Sequence, residues 1–285
     1  MALFKNQQGK IRGIWKITVW LILVVVLSVG GTHLITNVVV PAAQYGLASS
    51  YAEKGDIENA ILAFRALGKY RDSESRVTEM LFAQQTLDFS NLQVGGTFYM
   101  GLYEQDGIEN GPEEIEWIVL AVEDGKALVI SKYALDSKPF HEQFAEMTWA
   151  DCSLRQWLNG DFYQNAFSDK QQSLIQLSVT PADKNLDYNT PVGDDTADHI
   201  WLFSLNEVDR YLADTPYAAC SLTPYAIQNK AYATLKGECW WWCRTPGNRA
   251  SFASGVNPVG DISTVGNNVN YVHGAVRPAM WISIK

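Results

Sequence analysis

Three consecutive tryptophans between two cysteines, Cys239-Trp240-Trp241-Trp242-Cys243, are the feature that most constrains how this chain can fold. An indole side chain has a large apolar area, so such a run is costly at a surface unless it packs into a core or holds a ligand. In a strand, Trp240 and Trp242 face one side and Trp241 faces the other, so at least one side must lie against the core. The run therefore predicts a largely buried strand and leaves Trp241 as a candidate ligand contact.

The residues that follow the tryptophans resemble short strands joined by tight turns. Between Gly247 and Gly274, a glycine recurs every few residues, with short valine- and isoleucine-bearing pieces between. The turns carry polar and aromatic side chains, which can adapt to a bound partner when loops present them. We expect these side chains, together with Trp241, to form a ligand-binding surface. They are Asn248, Arg249, Phe252, Asn257, Asp261, Asn267, Asn268, Asn270, Tyr271 and His273.

The charge of the chain is distributed unevenly. The net charge is −9 over 285 residues, but residues 1–16 hold four basic side chains and no acidic one. The other residues hold 18 basic and 31 acidic side chains, so their net charge is −13. Phosphate contacts need a basic face, and this acidity therefore disfavours nucleic acid as a partner.

An uncharged apolar stretch at residues 17–40 predicts a membrane span. At the helical rise of 1.5 Å it would extend about 36 Å, enough to cross a bilayer. The basic residues precede it, so the sequence predicts a cytoplasmic tail at 1–16, a signal-anchor at 17–40 and an extracellular remainder in a single-pass membrane protein. The alternatives are a buried core helix and a cleaved signal peptide.

Two helical stripes follow, on either side of Gly55-Asp56, where Gly55 can end one helix and Asp56 can cap the next. Residues 44–88 resemble a tetratricopeptide-type repeat, although a single copy cannot bury its own apolar face. We therefore predict a tetratricopeptide-like helical collar, with a plain helical stalk as the simpler form and a peptide-binding array as the alternative.

Residues 93–285 predict an α+β domain. Two apolar runs flank Asp124-Gly125, which is typical of a β-hairpin turn. Helical pieces then follow around residues 153–159 and 206–212, before the strands at the end of the chain. Early strands, then helices, then a late meander are the pattern of an α+β fold.

Six short sequence motifs occur in this domain in an order that resembles a family of uncharacterised bacterial surface domains. They are Trp117-Ile118-Val119-Leu120, Ser153-Leu154-Arg155-Gln156-Trp157-Leu158-Asn159, Phe162-Tyr163 with Ala166-Phe167-Ser168, Ile200-Trp201-Leu202-Phe203-Ser204, Trp241-Trp242-Cys243-Arg244-Thr245-Pro246-Gly247 and Val276-Arg277-Pro278-Ala279-Met280-Trp281-Ile282. That family is often found behind a membrane anchor and a repeat-like helical segment. It looks like a C-type lectin-like fold and is similar to formylglycine-generating enzymes and to receptors that retroelements diversify.

The resemblance implies a C-type lectin-like head that displays its C-terminal third. The segment Val276–Ile282 is then the closing strand of the sheet, and the polar turns between Asn248 and His273 are the exposed face. The function implied is that of a membrane-anchored extracellular receptor or adhesion protein for a protein or glycan ligand, with a surface open to diversification. A non-catalytic scaffold of the cell envelope is an alternative.

The four cysteines, Cys152, Cys220, Cys239 and Cys243, leave a second alternative. The resemblance to formylglycine-generating enzymes implies, as an alternative, an extracellular cysteine oxidase that would use Cys239 and Cys243. The surroundings of these cysteines are rich in tryptophan and have no nearby basic cluster, which does not favour a thiolate. We therefore prefer a protein that is not an enzyme. In a strand these two residues lie about 13 Å apart, too far for a disulfide without a turn. Pairs with Cys152 or Cys220 and free buried thiols stay open.

We expect no metal and no resident cofactor. A calcium ion is the alternative, held by the acidic loop between residues 183 and 198, where carboxylates are dense. Its members are Asp183, Asp187, Asp194, Asp195 and Asp198.

Overall fold

The computed structural model describes residues 39–89, 92–108 and 111–285. The chain divides into two compact units, one up to Met80 and the other from Leu81 onward. The predicted cytoplasmic tail at 1–16 and most of the predicted membrane span lie outside the described residues.

The first unit contains helices α1 (Val40–Glu53) and α2 (Ile57–Arg65) and most of α3 (Ser73–Gln84). Asp56 caps α2 as predicted, because its side chain accepts a hydrogen bond from the Asn59 backbone N–H. Helix α1 packs on α2 through small and aromatic side chains, with the Tyr45 and Phe64 ring centres 5.4 Å apart.

No helix in the described ranges is both long and apolar enough to cross a membrane. Helix α1, which begins at the end of the predicted span, has 14 residues, whereas a span needs about 20. This finding contradicts the predicted signal-anchor, and with it the single-pass topology that placed the tail in the cytoplasm and the domain outside the cell.

The predicted tetratricopeptide-like collar is not shown either. Repeat proteins bury their helix faces against neighbouring repeats, so a repeat is recognised by stacked helix pairs. The described part of the first unit has one packed pair, α1 with α2, followed by α3. Its buried side chains are few, and they are Ala48, Ala60, Ile61, Phe64, Ser73 and Val77.

The second unit is built from two main sheets and several short helices. Its strands are β1 (Thr97–Tyr103), β2 (Glu113–Glu123), β3 (Lys126–Ser131), β4 (Asp136–Ser137), β5 (Ser178–Thr180), β6 (Thr196–Asp198), β7 (Cys220–Ser221), β8 (Glu238–Cys239), β9 (Trp241–Pro246), β10 (Phe252–Val256), β11 (Ile262–Asn268), β12 (Ala275–Val276) and β13 (Ala279–Ser283). Its helices are α4 (Ser153–Trp157), a π-helical turn (Leu158–Phe162), α5 (Tyr163–Ala166), α6 (Asp169–Gln172), α7 (Leu205–Leu212) and α8 (Pro224–Gln228).

The first sheet has the order β1-β2-β3-β13, and every pairing in it is antiparallel. The predicted hairpin turn is present between β2 and β3. Asp124 and Gly125 have φ angles of 49° and 77°, the left-handed backbone that a two-residue hairpin turn requires at both positions. Strand β13 closes the other edge of this sheet against β3.

The second sheet has the order β11-β10-β9-β12-β4 and holds the tryptophan run. Strand β12 pairs in parallel with β9, opposite Trp241. The predicted closing strand at Val276–Ile282 therefore contributes to both sheets. Its first residue belongs to β12, and the part from Ala279 onward belongs to β13. Arg277-Pro278 lies at the step between the sheets.

The predicted fold class is corrected by this arrangement. The described chain is mixed α/β, because helices α4 to α8 alternate with the short strands β5 to β8 and do not form a separate layer. The parallel pairing of β12 with β9 also differs from the late antiparallel meander that was expected. The combination of a membrane helix, a repeat collar and a C-type lectin-like head is thus not what the structure presents.

Candidate functional site

The tryptophan run is core, as its pattern predicts. Trp241 and Trp242 are fully buried, and their indole N–H groups donate to the backbone oxygens of Ala218 (3.0 Å) and Lys138 (2.9 Å). Trp240 is half-buried, with its ring centre 4.4 Å from that of Trp242. Trp241, a predicted ligand contact, therefore packs in the interior with its indole N–H bonded to the backbone.

The predicted turn residues fall into three groups. The first is the tip of the β10–β11 hairpin, where the side-chain oxygen of Asn257 accepts hydrogen bonds from the backbone N–H groups of Val259 (3.0 Å) and Asp261 (2.9 Å). The Asn257 amide also donates to the Asp261 carboxylate at 3.3 Å. These two side chains hold the turn itself.

The second group lies at the opposite end of the same hairpin. The Arg249 guanidinium is 4.4 Å from the centre of the Phe252 ring and donates to the Asn248 side chain at 3.4 Å. Asn268 pairs with Phe252 across the strands, and its backbone N–H is bonded by the Asn267 side chain at 2.9 Å. These side chains are partly exposed and contact one another.

The third group is aromatic. Tyr271 lies edge-on to Trp240 and His273, with ring centres 6.2 Å and 5.1 Å away. The His273 Nδ1 atom is 2.5 Å from the Lys230 backbone oxygen. Asn270, beside Tyr271, is half-buried. The backbone N–H of Tyr271 donates to the Asn268 oxygen at 2.9 Å, so the third group adjoins the second. The ligand-binding surface predicted from these turns stays a prediction.

Four of the five aspartates of the predicted calcium loop have polar partners within the chain. Asp183 lies 3.5 Å from Arg244, Asp187 accepts a hydrogen bond from Thr264 at 2.6 Å, and Asp195 accepts one from the Ala182 backbone at 2.7 Å. Asp198 is fully buried. Asp183, Asp187 and Asp195 therefore bond to different partners within the chain. The calcium ion stays an untested alternative.

Cys239 and Cys243, which the oxidase alternative requires, are on different strands, and all four thiols are free and buried. Burial raises the pKa of Cys243 well above its usual value. Burial also raises the pKa of Cys152 to about 12, and this thiol caps helix α4 by accepting the Arg155 backbone N–H. A thiolate at Cys243 is thus disfavoured.

A cavity of about 330 Å³, which was not predicted, lies beside strands β1 and β2 at one edge of the first sheet. Strands β1 and β2, the loop between them, and the segment that enters α8 form its walls. The lining residues are Tyr99, Gln105, Asp106, Glu113, Glu114, Glu116, Tyr133, Leu222, Thr223 and Pro224. Two hydrogen bonds fasten the walls together, from the Tyr225 backbone N–H to the Gln105 oxygen (2.9 Å) and from the Gln228 amide to the Gly107 oxygen (2.9 Å).

Three carboxylates converge at one side of this cavity. One ligand atom from each of Glu104, Asp106 and Glu113 lies within 4.8 Å of the others. Burial first, and then the nearby Glu113 charge, raise the pKa of Glu104 to about 7. Backbone N–H groups partly stabilise the cluster, because Glu113 accepts from Gln105 at 2.7 Å and Glu104 accepts from Gly107 at 2.9 Å.

Two further carboxylates on β2 face the same region with partners of their own. Glu116 pairs with Lys132 at 2.9 Å, and Glu114 accepts a hydrogen bond from the Gln85 amide at 2.8 Å. The half-exposed ring of Tyr99 and that of Tyr133 complete the lining. The cavity therefore combines negative charge with aromatic rings, a setting that attracts cations. The density of acidic residues between Glu104 and Glu116 is the signal that could have found it.

Comparison with known proteins gives one match. The model of a family described as "Domain of unknown function (DUF6273)" matches residues 124–284. No curated protein and no solved structure matches the chain. The matched segment includes Tyr133 and the Leu222–Pro224 wall of the cavity, and the converging carboxylates precede it.

Proposed function

The chain belongs to the family of the domain of unknown function DUF6273, and on that premise we propose that its second unit is a non-catalytic binding domain for a ligand that carries a positively charged group. The observation that carries this proposal is the cavity of about 330 Å³ whose lining joins carboxylates to tyrosine rings. A cavity of this size accepts a lysine or arginine side chain, or another organic cation of that class.

Electrostatics support a cationic ligand. Carboxylates that converge within 4.8 Å repel one another, and the raised pKa of Glu104 reflects burial together with that repulsion. A bound ammonium or guanidinium group would relieve the repulsion, and the face of Tyr99 would add cation–π attraction. The Tyr133 ring already has the Lys132 ammonium group 5.4 Å from its centre. The acidic balance of the chain would also steer a cation toward it.

Binding is favoured over the predicted cysteine oxidase by the placement of the two thiols that the oxidase would use. Cys239 and Cys243 lie on different strands, and burial raises the pKa of Cys243 well above its usual value. The ligand surface predicted from the turns, which includes Arg249 and Tyr271, stays a prediction beside this proposal. A ligand bound there would be unaffected by changes in the cavity, so one experiment separates the two surfaces.

The test is a calorimetric titration with a tetralysine peptide, and with the same peptide acetylated on every lysine. Glu113→Gln removes one carboxylate from the cavity at nearly constant shape. We expect it to weaken tetralysine binding about tenfold, which corresponds to about 1.4 kcal/mol. The acetylated peptide should not bind, because it carries no side-chain charge.

The matched control is Glu142→Gln, which removes the same charge from an exposed carboxylate outside the cavity lining. Its affinity should stay within about twofold of the parent, since exposed charges at a distance are screened by salt. Equal losses in the two variants would mean that tetralysine binds the acidic surface in general. Unchanged affinity in Glu113→Gln would assign the ligand to another surface.

A further inference from the structure

Cys220 and Cys239 are direct partners across the antiparallel pair of β7 and β8. The α-carbons of residues opposed in such a pair lie about 4.5–5.5 Å apart, which is within the range that a disulfide spans. Both residues are buried, with exposed fractions of 3% and 0%. They are 19 residues apart in sequence, and spacing alone leaves this pair as one of several possible cysteine pairs.

A buried cation lies near the two thiols. Arg277 is fully buried, and its guanidinium donates to the backbone oxygens of Ser131 (3.0 Å) and Tyr217 (2.6 Å). None of the ion pairs in the described part of the chain includes Arg277. A guanidinium without a carboxylate partner favours an anion beside it, and a thiolate is such an anion.

The Arg277 charge favours the ionised form of both thiols, and the hydrogen bond between the thiols makes their acidities differ. Burial opposes ionisation of Cys220, but the hydrogen bond with the Cys239 thiol and the charge of Arg277 outweigh it and lower the pKa of Cys220. The same hydrogen bond and burial raise the pKa of Cys239. Cys220 is also the more exposed of the two (3% against 0%), so we assign it as the nucleophile of the pair and Cys239 as the resolving thiol.

We propose that Cys220 and Cys239 are a redox-active pair that closes a reversible disulfide by exchange with a low-molecular-weight disulfide. This proposal is independent of the cation-binding cavity. It assigns a covalent site to thiols that the proposed function does not use.

The reaction has two balanced steps. The Cys220 thiolate attacks one sulfur of the small disulfide, the sulfur–sulfur bond of that molecule breaks, and one small thiolate leaves with the bonding electron pair. Cys239 then gives up its proton and attacks the Cys220 sulfur, so the mixed disulfide breaks and the second small thiolate leaves. The two cysteines lose two electrons, the small disulfide gains them, and the released thiolates take up the two protons.

Access requires only local opening. Strands β7 and β8 have two residues each, so separating them breaks few backbone bonds. The turn just before β8 carries Leu235, whose side chain is entirely exposed. Local fluctuations of such a short ladder give a small reagent access to Cys220 without unfolding of the core.

The test is incubation of the full chain with glutathione disulfide, followed by intact-mass measurement and disulfide mapping. The expected product has lost two hydrogen atoms, joins Cys220 to Cys239, and returns to the starting mass with dithiothreitol. Because the crosslink restricts the unfolded chain, the melting temperature should rise by about 6–12 °C.

Cys239→Ala removes the resolving thiol and is the test variant. Cys243→Ala is its control, because it removes another fully buried thiol nearby in sequence. Cys239→Ala should stop at a glutathione adduct on Cys220, and Cys243→Ala should still form the crosslink. A disulfide that involves Cys243 or Cys152 in the parent protein would overturn the proposal. So would four unmodified thiols after incubation, a result that needs no variant to fold.

Discussion

At the scale of single residues, Glu104 and its neighbours determine the charge at one side of the cavity. Glu104 lies beside Asp106 and Glu113 with its pKa raised to about 7 by burial and then by the Glu113 charge. The folded state therefore holds the Glu104 proton at pH values where the unfolded chain has released it. It follows that the contribution of Glu104 to stability falls as pH rises from about 4.5 to about 7.

The same titration predicts how binding depends on pH. Glu104 gains its charge as pH rises through about 7, so tetralysine should bind more tightly at about pH 8 than at about pH 6. Calorimetry in two buffers of different ionisation enthalpy should show that binding releases protons. In Glu104→Gln both effects should largely vanish. If this variant keeps the full pH dependence, another group is responsible.

At the scale of elements, the short strands are held together by buried polar groups. Asp198, at the end of β6, is fully buried and accepts hydrogen bonds from Trp149 (2.9 Å), Arg155 (2.6 Å), Thr180 (2.8 Å) and Thr196 (2.6 Å). It thereby joins β6 to β5 and to helix α4. These elements have three to five residues each, which gives them too little apolar area to be stable alone. The hydrogen bonds of the Asp198 carboxylate therefore contribute much of what holds them in place.

We predict that Asp198→Ala lowers the free energy of unfolding by about 3 kcal/mol, because it leaves the Arg155 charge and three donors without their acceptor. Urea unfolding followed by tryptophan fluorescence measures this change. Asp209→Ala, at an exposed aspartate on α7, should cost less than about 0.5 kcal/mol. Similar losses in both variants would show that Asp198 does not join these elements.

The elements also show how much of the fold the sequence could predict. The Asp124-Gly125 turn was predictable because two adjacent positive φ angles demand those residue types, and the Asp56 cap was predictable because its bond is local. The burial of Trp241 and Trp242 followed from the strand period. The parallel pairing of β12 with β9 was not predictable, since no local pattern records which distant strands become neighbours.

At the scale of the whole molecule, the sites are assembled from distant segments. The cavity unites β1, β2 and the segment before α8, and the thiol pair unites Cys220 with Cys239. Neither grouping leaves a motif in the sequence. The turns between Asn248 and His273, in contrast, are contiguous in sequence, so a sequence pattern can indicate them, and the ligand surface predicted there stays a prediction. The apolar stretch at 17–40 led in the same way to a membrane span that the described structure does not contain.

The central claim, that cations bind in the cavity, is tested most directly by zero-length carbodiimide coupling of tetralysine to the folded protein. Mass spectrometry then locates the coupled carboxylates. The account predicts coupling concentrated at Asp106, Glu113 and Glu114, and a strong reduction when an excess of unreactive tetramethylammonium fills the site. Coupling spread evenly over exposed carboxylates such as Glu142 and Asp209, with the cavity carboxylates unmodified, would contradict it.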